Sequence, residues 1–498
     1  MGTTVSTLTP GTRSRKAIYY GTFIHSRTIT NLDIITQGAI GVDDSGKIAF
    51  VERNVESPEK LFLNFPEWVG VRVFQTPKDG FFFPGLIDTH IHASQYPNAG
   101  LFGSTTLLDW LTTYTFPTES SFSDLTFAGT VYNRIVNRTL SHGTTTASYY
   151  TTIHVPATNL LSEICHKKGQ RAFIGRVCMD VNCPDYYGDE SVSMAMANTK
   201  DTIEYIKSID PDYRVVSPIV TPRFAVTCSG DMMSELGKLA KQENIPIQTH
   251  VSENEYEIDF VNKSFPKSGS YTNVYDDHGL LTPRTILSHA VHLSEEELKL
   301  IKSRRTGLSH CPVSNSALGS GVARVRDWVD EGVNVGLGTD VSGGYSPSIL
   351  EAARQALLVS RILAQREGVE RYKLSIAEVL WFATRGGARV VGLEGKVGGF
   401  EVGMEWDAVL VGLGGVDGAG EGVLDSEGEE VVVGDEQGLT IGGVDLFGWQ
   451  GDWEDRVAKW VYAGDERNNL GVWVGGRLVY EKERQGVERL VRRNGLYN

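Results

Sequence analysis

Eight short runs of apolar and β-branched residues recur between positions 86 and 340, each ending in a polar cluster and separated by helix-length stretches. They fall at 86–92, 143–148, 172–179, 215–220, 245–250, 285–289, 306–310 and 333–340. A short apolar run reads as a strand buried on both faces, and a helix-length gap between runs implies parallel pairing through βα units. Helical periodicity fills the gaps, as at 233–242 and 294–303. After Gly344 a longer helix is predicted to open on a capping box of Ser348 and Glu351, with Ile349, Ala353 and Leu357 at helical spacing. Eight units across about 250 residues are the size of a TIM barrel, and a doubly wound open sheet usually needs fewer strands. The expected class is therefore α/β, with a TIM (β/α)8 barrel over 81–396.

The flanks read differently. Residues 17–80 alternate apolar and polar positions around turn signals such as Asp44-Ser45-Gly46, and 471–480 has a hairpin pattern around Gly475-Gly476. Together with 397–498 they are expected to form a small β-sandwich-like domain built from both termini. The Thr- and Ser-rich stretch 1–16 is expected to be a disordered tail. Residues 412–443, dense in Gly and acidic residues without Lys or Arg, are expected to be an exposed insertion carrying no chemistry. With 47 Lys and Arg against 62 Asp and Glu, the net charge of -15 would repel a phosphate backbone, so a nucleic-acid partner is not expected. No stretch approaches about 18 uninterrupted apolar residues, and the N-terminus lacks an apolar segment, so neither a membrane span nor a signal peptide is expected. The five scattered cysteines form no CxxC pair, which argues against a disulfide framework or thiolate zinc site and makes a reducing cytoplasm the default.

His90-Ile91-His92 closes the first run. Residues i and i+2 of a strand share a face, so both imidazoles can meet one ion, at the end of the strand that is the active face of a barrel. Three further runs end in His250, His289 and Asp340. Scattered core histidines would not all fall at the same end of successive strands. Imidazole and carboxylate ligands suit Zn²⁺ or Fe²⁺, with one position left for water. Glu253, three residues past His250, is placed to move protons; the bland alternative is a solvated loop glutamate like Glu255 or Glu257. Residues 41–48 nearly spell a P-loop, but Ile48 replaces the required hydroxyl and Asp43 and Asp44 would face phosphates, so a turn is expected. HExxH, GxSxG, GxGxxG and the cytidine-type zinc pattern are absent.

With these residues placed, the chain resembles the amidohydrolase superfamily, and within it the metal-dependent deaminases. The resemblance is carried by Pro84-Gly-Leu-Ile-Asp-Thr-His90-Ile-His92-Ala93-Ser94-Gln95-Tyr96, Thr221-Pro222-Arg223-Phe224, His250-Val-Ser-Glu253-Asn254, Ser309-His-Cys-Pro312 with Asn315, and Gly338-Thr-Asp340-Val-Ser-Gly-Gly-Tyr345. It runs from about Tyr19 to about Val479. It implies one Zn²⁺ per subunit on His90, His92, His250 and Asp340, with Glu253, His289 and Asp340 as catalytic residues. It further implies substrate contacts from His92, Ala93, Ser94, Gln95, Arg223, Phe224, His250, Glu253 and Asp340. The implied activity is hydrolytic deamination of guanine to xanthine and ammonia, in purine catabolism, by a cytoplasmic homodimer.

The alternatives are a deaminase or chlorohydrolase acting on 8-oxoguanine, a pterin or a triazine, and a non-catalytic scaffold of the same fold. A scaffold would be expected to have lost ligands, and none is missing. A dinuclear site of the dihydroorotase type would need a Lys at the end of the fourth run, which leads instead into Thr221-Pro222-Arg223.

Overall fold

In the computed structural model, which describes residues 16–102, 107–414, 422–424, 430–432, 444–446 and 451–482, every one of the eight runs contains a strand. These are β1 (Leu86–His92), β2 (Thr144–Tyr150), β3 (Arg171–Gly175), β4 (Val216–Pro218), β5 (Ile247–Val251), β6 (Thr285–His289), β7 (Gly307–His310) and β8 (Val335–Leu337). They lie side by side in the order β4-β3-β2-β1-β8-β7-β6-β5, all parallel. Val220, just past β4, bridges Ile247 of β5 in parallel and closes the sheet on itself. All strands except β4 are buried along their whole length, which is why the sequence shows continuous rather than alternating apolar runs. The fold is a TIM (β/α)8 barrel joined to a sheet made from both ends of the chain.

Local departures from the expected pattern have local causes. The run at 172–179 breaks into Arg171–Gly175 and Val177–Cys178 on either side of Arg176, whose side chain pairs with Asp189. The last run narrows to Val335–Leu337, since Asp340 takes a left-handed backbone (φ 46°) that leads the chain out of the sheet. The capping box ahead of Ile349–Glu367 is half formed. Ser348 accepts from the Glu351 N–H, but the Glu351 carboxylate goes to Tyr345 and Arg354.

The second sheet has eight strands. Ala17–Thr28, Asn31–Val42, Ile48–Glu52, Arg72–Gln75 and Gly80–Pro84 precede the barrel, and Ala408–Gly412, Asn469–Val474 and Arg477–Glu481 follow it. Gly80–Pro84 pairs antiparallel with Ala408–Gly412 and leads through Gly85 directly into β1. Trp406, fully buried, packs on Tyr19 with ring centroids 4.1 Å apart, so residues from both ends share one aromatic core. Arg171 of β3 donates to Glu405 (2.6 Å) and Asp407 (3.2 Å), tying the barrel to this sheet through a buried ion pair. The P-loop-like stretch is a hairpin turn in which Asp43 accepts from the Ser45 and Lys47 backbone N–H groups. Gly475 and Gly476 both have positive φ, as a two-residue type I′ hairpin requires. The expected tail 1–16 lies outside the described residues save for Lys16. Of the insertion 412–443, only 412–414 and the antiparallel pair Gly422–Leu424 and Glu430–Val432 are described. No helix among the described residues is long and apolar enough to cross a membrane.

Candidate active site

The strand ends deliver their side chains to one point. His90 and His92 come from β1, His250 from β5, His289 from β6, and Asp340 from the loop past β8. His90 Nε2 lies 3.0 Å from Asp340 Oδ1, and His92 Nε2 lies 3.4 Å from the same oxygen and 3.1 Å from His250 Nε2. Tetrahedral ligands bonded at about 2.0–2.1 Å stand about 3.3 Å apart, so these separations suit donors sharing one cation. Donor atoms of His90, His250, His289 and Asp340 also lie within 4.8 Å of one another, so five groups rather than four surround the point. His90 Nε2, close as it is to Asp340, has no hydrogen-bond geometry to any group, and His90 Nδ1 and His92 Nδ1 are likewise buried without partners. A buried imidazole nitrogen left unbonded among converging ligands fits a metal.

Electrostatics agree with that fit. Burial holds His92 and His250 well below the ordinary imidazole range, with neighbouring imidazoles adding to the effect, and burial also lowers His90 against the pull of Asp340. The shift favours the neutral imidazole, the form that binds metal. Burial alone would raise Asp340, but His90, His289 and His92 outweigh it and hold the carboxylate below its usual range. His250 Nδ1 donates to the Arg223 carbonyl (2.7 Å), which fixes its tautomer and turns Nε2 toward the centre. Ser252, His289, Ala290 and Asp340 all have positive φ. Such backbone costs about 1–3 kcal/mol per residue and persists only where surrounding structure imposes it. Here Asp88 contributes: buried, with its carboxyl pushed up to about 7 by desolvation, it accepts from the His90 and Thr339 N–H groups and joins β1 to the Asp340 loop.

Glu253 sits beside this centre. Its Oε2 is 3.5 Å from His289 Nε2, its Oε1 accepts from Ser320 Oγ (3.1 Å), and its backbone N–H is held by Glu257 (2.9 Å). Burial pushes the Glu253 carboxyl up to about 7 against the pull of His289. His289 donates from Nδ1 to Asn315 Oδ1 (2.9 Å), and its Nε2 faces Glu253 and Asp340. Burial would lower His289, but these two carboxylates raise it. The two thus face each other as a carboxyl raised by burial and an imidazole raised by carboxylates.

A cavity opens onto the centre. Gln95, Arg223 and Phe224 line it together with His92, His250, Glu253, His289 and Asp340. His90 lies behind them, fully buried. Ala93 and Ser94, expected as substrate contacts, do not reach the cavity with their side chains. Ala93 packs with Ile91 and Tyr149, and the Ser94 hydroxyl donates to the Thr151 carbonyl (2.8 Å), because the turn Ala93–Asn98 first follows the barrel wall and only then swings inward. Sequence reasoning missed the apolar wall of Leu107, Trp110, Leu111 and Leu318, the Ser320 hydroxyl on Glu253, and the buried Glu119 and Tyr187 behind Gln95 and Arg223. These residues belong to no motif, and only the apolar pattern of 107–111 gave a usable signal.

A closed barrel with His-x-His on its first strand, two later strand-end histidines and a late Asp defines a class of hydrolase built around a metal centre. The amidohydrolase family model matches residues 81–479, and the chain belongs to that family. It is 45% identical over 468 residues to a probable guanine deaminase of Schizosaccharomyces pombe, covering 93% of this chain and 83% of that protein. It is 41% identical over 472 residues to the guanine deaminase of Homo sapiens, covering 93% and 96%. Among solved structures, guanine deaminase from C. acetobutylicum with bound guanine in the active site matches with a TM-score of 0.81 at 33% identity, covering 94% of this chain and all of that one.

Proposed function

We propose that the chain deaminates guanine hydrolytically to xanthine and ammonia, as a zinc enzyme of purine breakdown acting in the cytoplasm as a homodimer. The observation that carries this reading is the meeting, in one cavity, of the His and Asp donor set, the Glu253–His289 pair, and three side chains suited to a flat polar base: Gln95, Arg223 and Phe224. Zinc would be held by His90, His92, His250 and Asp340, and when bound it supplies a water activated near neutral pH.

The remaining chemistry falls to the protein. Arg223 donates to the 6-oxo group, Gln95 donates along one edge, and Phe224 walls the ring. Glu253 takes a proton from the water that attacks C2 and passes it to the adjacent ring nitrogen. His289, oriented by Asn315, stabilises the negative charge that develops on the attacking oxygen. Glu253 then takes the remaining proton of the attacking oxygen and relays it to the exocyclic amine, the C2–N bond breaks, ammonia leaves, and the water oxygen remains as the new oxo group.

The test is ammonia release and loss of guanine absorbance on adding pure protein, with and without a chelator. A panel of 8-oxoguanine, a pterin and a triazine accompanies it. Faster turnover of any of these than of guanine overturns the substrate assignment, and iron in place of zinc by elemental analysis overturns the metal.

A further inference from the structure

Glu119 lies outside the cavity lining yet is fully buried, and it accepts three hydrogen bonds. Gln95 Nε2 donates to Oε1 (2.8 Å), while Arg223 Nη1 (2.6 Å) and the Tyr187 hydroxyl (2.8 Å) donate to Oε2. An ionised carboxylate only accepts, so the Gln95 amide must turn its nitrogen toward Glu119. The opposite end of the amide is fixed independently: the Ser342 backbone N–H, which can only donate, meets Gln95 Oε1 at 3.3 Å. The orientation of this amide is therefore set by its neighbours at both ends. The Ser342 hydroxyl also donates to Gln95 Oε1 (3.4 Å), so what remains for the cavity is one N–H from Gln95 and the N–H groups of Arg223 that Glu119 does not use. Arg223 also sits over the Phe116 ring at 5.2 Å. The helical run bearing Glu119 is α at Leu107–Trp110, π at Leu111–Thr115 and α again at Phe116–Ser120. One run thus supplies both the apolar wall and the carboxylate behind the polar wall, and π turns of this kind recur at functional sites.

The geometry points to Glu119 as a positioning residue that sets base specificity: it holds Gln95 and Arg223 so that the cavity accepts an oxo group and rejects an amino group at the same place on the ring. This rests on the guanine reading above. A guanidinium locked with its donors toward the ring meets a carbonyl favourably, whereas an amino group there faces donor against donor. A site built around one hydrogen-bonding pattern discriminates far more strongly than one built on shape. Without Glu119 the Gln95 amide is held from its Ser342 end alone and Arg223 loses its anchor, so both preferences relax.

The experiment measures the KM for guanine and the inhibition constant of 2,6-diaminopurine, which carries an amino group in place of the 6-oxo, in the zinc-loaded wild-type, Glu119→Gln and Glu119→Asp enzymes. Zinc content and thermal midpoint are recorded for each. In Glu119→Gln, zinc content should be retained, the guanine KM should rise roughly tenfold or more, and the ratio of the two constants should fall by roughly 10- to 100-fold. Glu119→Asp keeps the charge but cannot reach both partners, and its ratio should fall by roughly threefold or more, which decides the matter if Glu119→Gln does not fold. An unchanged ratio in the folded variant, even with reduced kcat, overturns the assignment. Wild-type protein that releases no ammonia from guanine overturns the functional reading instead, and does so without any variant.

Discussion

Glu253→Gln isolates the proton-transfer step. The two side chains are nearly the same size, and the amide oxygen can still accept from Ser320, which holds Oε1 at 3.1 Å. None of the four proposed zinc ligands is touched. Two things are lost: the basic oxygen, and a negative charge 3.5 Å from His289 Nε2. Loss of a general base costs about 10²- to 10⁴-fold, or about 2.7 to 5.4 kcal/mol at 1.36 kcal/mol per tenfold. The variant also removes a carboxylate that holds His289 above the ordinary imidazole range. The upper part of the range is therefore expected, with kcat down about 10³- to 10⁴-fold. The assay is steady-state ammonia release, paired with zinc content by elemental analysis and a thermal melt. A rate within tenfold of wild type refutes the role given to Glu253, and zinc loss in step with activity refutes the claim that its contribution is separate from the metal site.

Chelation should abolish turnover and added zinc should restore it; activity that survives complete metal removal would contradict the metal site. For the pH dependence, the base form of Glu253 is required, so kcat/KM should fall as the medium becomes acidic. The midpoint should lie at or below about 7, because a bound dication can only pull the carboxyl down from the value set by burial. A rate that rises on acidification through this range would reverse the assignment of base and acid. Arg171→Ala leaves Asp407 buried without its guanidinium partner and should destabilise the fold by about 3–5 kcal/mol, seen as a lower thermal midpoint. The folded fraction should keep kcat/KM within about threefold, since Arg171 does not line the cavity.

The barrel was legible because its strands are buried on both faces and so announce themselves as unbroken apolar runs, and because the metal-type residues are tied to their ends. His90, His92, His250 and His289 each lie within the last three residues of a strand, where pattern and chemistry coincide. Asp340 was legible for the same reason, although the strand stops at Leu337 and a left-handed backbone carries the carboxylate the rest of the way. What escaped depends on tertiary placement alone. Glu119 sits in a short helix with no periodic signature, 104 positions from Arg223, and its meaning lies in which donors reach it. The Arg171–Asp407 pair spans 236 positions and follows from the docking of the sheet under the barrel, which no local pattern encodes. The Ala93 and Ser94 side chains lie off the cavity lining because adjacency to a ligand in sequence does not fix which way a side chain points once the strand has ended.

The pairing of Gly80–Pro84 with Ala408–Gly412 sets a timetable for biosynthesis. The earlier strand leaves the ribosome roughly 300 residues ahead of its partner, about 15 to 60 s at roughly 5–20 residues per second. Throughout that interval Tyr19, Phe23 and Phe82 are made but Trp406 and Trp473, which later enclose them, are not. The nascent polypeptide must therefore carry an uncovered aromatic surface past completion of the catalytic half.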